Sequence, residues 1–216
     1  MSIGCKGTVR LYLVRHGETG DNVQMRYLGI RDEPLTPNGL RQALLVAGAL
    51  AQLPVGGIFS SPLVRAADTA LRIKDACGVE LRLDSRLAEG SFGEWEGLTR
   101  DEVLKRSARD AETLARWELD SSIAPPGGES IEHVQRRVIS LVNELAESFC
   151  NQSVVLVSHV GPIKALLSAV LDIPLAASRR LFLDPATITV VEWGERPLVR
   201  LLNSHAHLGW SSARWM

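Results

Sequence analysis

The sequence predicts an α/β fold, with a mixed sheet covered by helices on both faces. Two observations carry this. Short continuous apolar runs alternate with longer segments of helical period, and the last two strand-like runs flank a tight turn, "GERP". With 216 residues and 45% hydrophobic positions the chain can build one sizeable core, and no composition shift divides it, so a single domain over 1–216 is expected.

Residues 11–14, with Val9 just before, form an apolar run suited to a buried parallel strand. Thr36-Pro37 then supplies a cap and an N1 proline, and Leu40, Ala43, Leu44, Ala47 and Leu50 follow at helical spacing. A short strand over Gly57–Ser60 precedes a second cap-plus-proline start at Ser61-Pro62. That helix runs through Leu63, Ala66, Ala67 and Ala70 to Gly78, a natural residue for its C-terminal turn. Val79, Leu81 and Leu83 alternate as a third strand. Thr99-x-x-Glu102 is a capping box, opening a helical region that continues toward Leu119.

"PPGGES" (125–130) is a loop, followed by a long amphipathic helix that buries Ile131, Val134, Val138, Leu141, Val142, Leu145 and Phe149. "SVVLVS", Ser153–Ser158, is a fourth buried strand, and Pro162 starts the helix after it. Residues 187–193 and 198–202 complete the series as an antiparallel hairpin.

The 24 basic and 25 acidic side chains nearly cancel, so no net field draws the protein to nucleic acid or an anionic membrane. Any anion site must be local. Cys5, Cys77 and Cys150 are odd in number and far apart, fitting neither a disulfide framework nor a C-x-x-C motif, and read as reduced thiols. The N-terminus lacks the charged and apolar regions of a signal peptide, and no run approaches the ~18 apolar residues of a membrane helix. A cytoplasmic protein is expected, with neither nucleic acid nor membrane as partner.

Ligand crevices of open α/β sheets lie beyond the carboxyl ends of the strands. Strand one delivers Arg15 and His16 there, in "LYLVRHGETGDN", and strand two delivers Arg65 on its helix. Glu89 follows strand three, and His159 follows strand four. Each has a bland reading: Arg15-His16 as solvated loop, Arg65 as a surface charge paired with Asp68, His159 as a core histidine, Glu89 as a loop carboxylate. Their coincidence at equivalent topological positions outweighs these readings. Two arginines and two imidazoles suit a phosphoryl dianion, with Gly17 admitting backbone N–H groups, Asn22 donating an uncharged hydrogen bond, and the Val160 N–H adding another.

A neutral imidazole beside such a pocket is a competent nucleophile for phosphorus, provided an acceptor on its other nitrogen sets the tautomer. Glu89, the one carboxyl group expected there, is placed to protonate a leaving alkoxide and then deprotonate water. His133 on the long helix and His205 and His207 near the C-terminus receive no catalytic role, although the last two are expected near the pocket mouth. Zinc is the chemical competitor, since two histidines and a glutamate are common ligands. Repulsion of a dication by Arg15 and Arg65, roughly several kcal/mol, argues against it, and no metal is expected.

In order, "LVRHGETGDN", "PLTPNG", "SSPLVRAADTA", "RLAEGSFGEWEG", "PPGGES" and "VVLVSHVG" resemble the motif series of the histidine phosphatase superfamily, also called phosphoglycerate mutase-like, over nearly the whole chain. The resemblance implies a three-layer α/β/α sandwich with a mostly parallel sheet and an antiparallel edge, and a phosphohistidine intermediate without metal or other cofactor. It makes His16 the nucleophile, Arg15, Arg65 and His159 the phosphate pocket, and Glu89 the acid/base, with Asn22 and Gly29 lining the substrate pocket.

The short spacer after Glu89 looks like the alpha-ribazole phosphatase, phosphoserine phosphatase and broad-specificity phosphatase branch, with a cap or lid at about 90–128. Cofactor-dependent mutases carry a longer insertion with paired arginines, whereas here Arg100, Arg106, Arg109 and Arg116 are isolated. Val160 departs from the glycine often found after the second histidine. A small phosphate ester is thus the expected partner, and a homodimer is compatible with the sequence. A phosphoglycerate mutase and a catalytically silent binding relative remain the alternatives.

Overall fold

The computed structural model describes residues 7–209. Its central strand, β1 (Val9–Arg15), alternates side chains between two cores: Leu11 and Leu13 face one, Tyr12 and Val14 the other. A short helix α1 (Gly20–Val23) follows, and then α2 (Pro37–Leu50), capped by the Thr36 side chain on the Gly39 N–H. β2 (Gly57–Ser60) leads into α3 (Val64–Cys77), which ends at Gly78 in the left-handed conformation. β3 (Leu81–Leu83) is a short edge strand.

The region after β3 builds its own small cluster. A 3-10 turn over Gly93–Trp95, α4 (Arg100–Arg106) and α5 (Ala108–Leu119) enclose Trp95, Val103 and Leu114. The indole of Trp95 is fully buried and donates to Asp110 at 2.9 Å, which satisfies its one polar atom. α6 (Ile131–Ser148) then returns to the sheet, followed by β4 (Ser153–Ser158), α7 (Val160–Val170), β5 (Ile188–Trp193) and β6 (Leu198–Ser204).

The strands form one sheet in the order β3-β2-β4-β1-β5-β6. β3, β2, β4 and β1 are parallel, and β5 and β6 add antiparallel. Val154 and Leu156 of β4 join α6 and α7 in one core, while Val155 and Val157 join α2 and α3 in the other. This is the expected α/β/α arrangement, and both central strands are apolar on both faces because both faces are covered.

Local details depart from the sequence reading. α2 buries Ala43, Val46, Ala47 and Leu50, whereas Leu40 and Leu44 stand exposed, Leu44 by 59%. Apolar residues wrap most of this helix, so the period alone could not choose its face. α3 begins after Leu63, two residues later than the Ser61-Pro62 start, because the Ser61 hydroxyl is committed elsewhere. The predicted region from Thr99 to Leu119 is two helices, broken at Ser107, whose side chain caps the second. α7 starts at Val160, ahead of Pro162.

Cys77 is a free thiol, as expected, but Cys150 is disulfide-bonded; the spacing rule that read it as reduced does not see three-dimensional proximity. Cys5 lies outside the described residues. No described helix is long and apolar enough to cross a membrane.

These burial differences are testable. Leu156→Ala, in the covered strand β4, should cost about 2–5 kcal/mol in urea unfolding. Leu44→Ala should stay within about 0.5 kcal/mol. A large loss at Leu44 would place the buried face of α2 where the sequence period put it.

Candidate active site

Sheet register brings the chemistry together. Arg15 pairs with Ser158 across β1 and β4, so the next residues, His16 and His159, leave the sheet side by side. Their ring centroids lie 5.0 Å apart, and both rings are buried. Ser61, just past β2, places its hydroxyl 2.8 Å from His159 Nε2. Arg65 projects from the first turn of α3 and is 1% exposed.

Nδ1 of His16 lies 2.7 Å from the Gly17 carbonyl oxygen, which can only accept. Nδ1 therefore carries the proton, and Nε2 presents its lone pair. Burial first, then the Arg15 and Arg65 guanidiniums, hold the His16 pKa well below its ordinary value. His159 is held down likewise by burial, His16, Arg65 and Arg15. Both imidazoles are neutral, and one is a fixed tautomer.

Arg65 donates to the carbonyls of Gly29, at 2.7 Å, and Arg31, at 2.9 Å. Among the described residues its Nε finds no partner, and neither does His159 Nδ1. Arg15 donates to the Leu183 carbonyl at 2.6 Å. Guanidiniums held by carbonyls have their direction set, which suits a preorganised anion site.

Glu89 is half-buried and accepts from the N–H groups of Gly90, at 2.9 Å, and Gly161, at 3.2 Å. Its charge acts on both Arg65 and Lys164, so it stands between the histidine cluster and a cavity of about 280 Å³. Tyr27, Phe92 and Trp117 form an aromatic wall of that cavity, facing Ile131, Val134 and Leu175. The loop carrying Glu89 is pinned by Ser158 Oγ on the Leu87 carbonyl, 2.7 Å, and by Arg137 on the Arg86 carbonyl, 2.6 Å.

The predicted pocket-lining residues fare differently. The Gly17 N–H does not face the pocket, since it donates to Thr69 Oγ1 at 3.1 Å. The useful group of Gly17 is its carbonyl, on His16. Gly29 adopts φ +60° and supplies a carbonyl to Arg65, and a Cβ there would collide with the Glu96 carboxylate. It orients Arg65 and is absent from the cavity lining. The Asn22 side-chain oxygen accepts from the Thr19 N–H at 3.2 Å, in the capping box of α1. Val160 lines the cavity, and the close approach to Glu89 is made at Gly161, where a Cβ would meet the carboxylate.

His133 is exposed beside Glu129, as expected of a surface residue. His205 lies 2.9 Å from Asp184 and His207 lies 2.8 Å from the Ala186 carbonyl; neither lines the cavity. They buttress the 183–187 segment that holds Arg15. Among the described residues no three His, Cys, Asp or Glu side chains are grouped as metal ligands.

Sequence reading missed Ser61, taken for a helix cap, and Lys164, Trp117 and Arg179 in the cavity wall. Lys164 had a usable signal, being three and four residues beyond Gly161 and Val160 on one face of α7. Trp117 and Arg179 had none, because only packing brings α5 to the segment after α7.

Fold and site thus define an α/β domain that gathers two neutral imidazoles and two guanidiniums at its strand ends. Residues 11–204 match the histidine phosphatase superfamily (branch 1). A bifunctional protein of Mycobacterium tuberculosis is 40% identical over 209 residues, 95% of this chain but 57% of that protein. Phosphoserine phosphatase 1 of Hydrogenobacter thermophilus is 36% identical over 93% of this chain and 95% of its own. The structure of a mycobacterial glucosyl-3-phosphoglycerate phosphatase with VO3 superposes with a TM-score of 0.81 at 36% identity, covering 90% of this chain and 98% of that one. The chain belongs to the histidine phosphatase superfamily, and it spans little more than half the length of the first curated relatives it matches.

The lowered histidine pKa values have a consequence for stability. Folded His16 and His159 bind fewer protons than the unfolded chain just below the ordinary value of 6.5. Their contribution is complete above that value and is lost progressively as pH falls below it. The Tm of the wild type should therefore drop between pH 7 and pH 5 by more than that of a His16→Gln/His159→Gln variant, with roughly 2–4 °C per kcal/mol at this chain length. Equal drops would show that these imidazoles are not held neutral.

Proposed function

We propose that this chain is a phosphomonoesterase that hydrolyses a small phosphorylated metabolite through a phosphohistidine on His16. The observation that carries the reading is the Nε2 lone pair of His16, left available by the Nδ1 contact to the Gly17 carbonyl, in a cluster where, among the described residues, Arg65 Nε and His159 Nδ1 have no partners. A phosphoryl group fits that cluster in charge and in hydrogen-bonding capacity.

In the first half-reaction, Nε2 attacks phosphorus and the bond from phosphorus to the ester oxygen breaks. Glu89 gives its proton to the departing alkoxide. Arg15, Arg65 and His159 hold the non-bridging oxygens, whose charge is distributed in the transition state. In the second, Glu89 takes a proton from water, which attacks phosphorus; the bond to Nε2 breaks and inorganic phosphate leaves. No metal takes part, and activity should survive exhaustive EDTA treatment. A cap role for 90–128 is supported by Phe92 and Trp117 of that segment, which line the cavity.

Acid-labile, base-stable phosphoenzyme should be trapped by alkaline quench of the wild type and be missing in His16→Ala. Equal label in both would remove His16 as nucleophile. Glu89→Gln should lose roughly 10²–10⁴-fold on alkyl esters and much less on p-nitrophenyl phosphate, whose phenolate leaves without a proton. Equal losses would remove Glu89 as the donor. With 3-phosphoglycerate and catalytic 2,3-bisphosphoglycerate, inorganic phosphate should accumulate faster than 2-phosphoglycerate; the reverse would make the protein a mutase.

A further inference from the structure

Beyond the phosphate cluster, the cavity holds two more cations that the proposed reaction does not use, Lys164 from α7 and Arg179 from the 3-10 turn over Leu175–Arg180. The Arg179 guanidinium carbon lies 3.6 Å from the centroid of the Trp117 ring, and its NH2 group donates to the Trp117 carbonyl at 2.6 Å. Stacking and that hydrogen bond hold the fork in one orientation and leave its other N–H groups toward the cavity. Among the described residues, neither Lys164 nor Arg179 forms an ion pair.

The acids nearby are already engaged. Glu129 takes both its oxygens to Arg137, at 3.0 Å each, and Glu118 takes both to Arg100, at 2.7 and 3.1 Å. Glu89 is the acid/base and acts on both Arg65 and Lys164. The far end of the cavity therefore has surplus positive charge next to aromatic and aliphatic walls.

We infer that Lys164 and Arg179 form a second anion subsite, which selects phosphomonoesters carrying a carboxylate on the alcohol side of the ester. A carboxylate suits it better than a second phosphoryl group. The planar Arg179 fork matches the two oxygens of a carboxylate, and Glu89, which acts on Lys164, reduces what that ammonium offers a second dianion. Recognition of a carboxylate by a guanidinium fork and an ammonium also orients the ester oxygen toward Glu89, which separates this role from nonspecific attraction. The inference rests on the phosphomonoesterase reading.

Burial, followed by the charges of Arg15 and Arg179, pushes the Lys164 pKa down to about 8, against the opposing pull of Glu89. Those groups face it from β1, from the 3-10 turn and from the loop after β3; Tyr27 and the Arg137-bound Glu129 complete the titratable lining. Lys164 thus loses its charge as pH rises through about 8, and the free-enzyme parameter kcat/KM should register the loss.

The test compares phosphoserine with phosphoserinamide and with a matched bisphosphate, measuring kcat/KM for each from pH 6 to 9.5. The wild type should favour the carboxylate over the amide by about tenfold or more at pH 7, and that ratio should shrink above pH 8. Lys164→Met and Arg179→Met should each lower the ratio, whereas Lys164→Arg should preserve it to higher pH. An unchanged ratio in folded Met variants, a pH-independent ratio, or faster turnover of the bisphosphate would overturn the assignment. Absence of turnover of every ester, with no phosphoenzyme on His16, would instead overturn the phosphomonoesterase reading on which it rests.

Discussion

Packing of α3 against the sheet carries the Arg65 guanidinium out of water, and among the described residues no carboxylate forms an ion pair with it, although Glu89, Asp32, Glu33 and Glu96 act on its charge from further away. Carbonyl oxygens of Gly29 and Arg31 take two of its N–H groups, and among the described residues its Nε has no partner. A buried cation without a direct ion pair is costly, by roughly several kcal/mol even after relaxation. Much of the surrounding structure exists to tolerate it. Gly29 accepts φ +60° so that its carbonyl can reach the guanidinium, and Glu96 ties that turn to the Glu89 loop through the N–H groups of Ile30 and Phe92, at 3.0 Å each. Burial first, and then this charge together with that of Arg15, holds the His16 and His159 pKa values down.

The site has two electrostatic compartments with Glu89 at their boundary. On one side lie neutral imidazoles and permanent cations. On the other is a mostly apolar cavity with Lys164 and Arg179 in its wall. The two compartments are built by different segments. Strand ends build the first, whereas α5, α7 and the segment after α7 build the second.

Strand-borne residues were legible in the sequence because a buried strand declares its end. Arg15, His16 and His159 each follow an apolar run directly, and the parallel register of β1 and β4 puts them side by side. Thr36, Gly78 and the Thr99-Glu102 box were legible for a similar reason, since caps act within a few residues. Ser61 was misread because a serine before proline has a strong local meaning, while its partner His159 is 98 residues away. The buried face of α2 was misjudged because its apolar residues leave no clear polar stripe. Cys150 pairing was missed because sequence spacing carries no distance.

By itself, then, the sequence determined the α/β class and which strand ends carry Arg15, His16 and His159, all consequences of local periodicity and of where strands end. Tertiary structure decided which atoms of those residues are used. It turned the Gly17 carbonyl onto His16 and its N–H onto Thr69, and it assigned the Gly29 carbonyl to Arg65. It also brought Trp117, Lys164 and Arg179 around one cavity from segments with no sequence pattern in common. The physical reason is one of range: periodicity and capping act over a few residues, while hydrogen-bond direction and charge balance in a buried site depend on every segment that packs there.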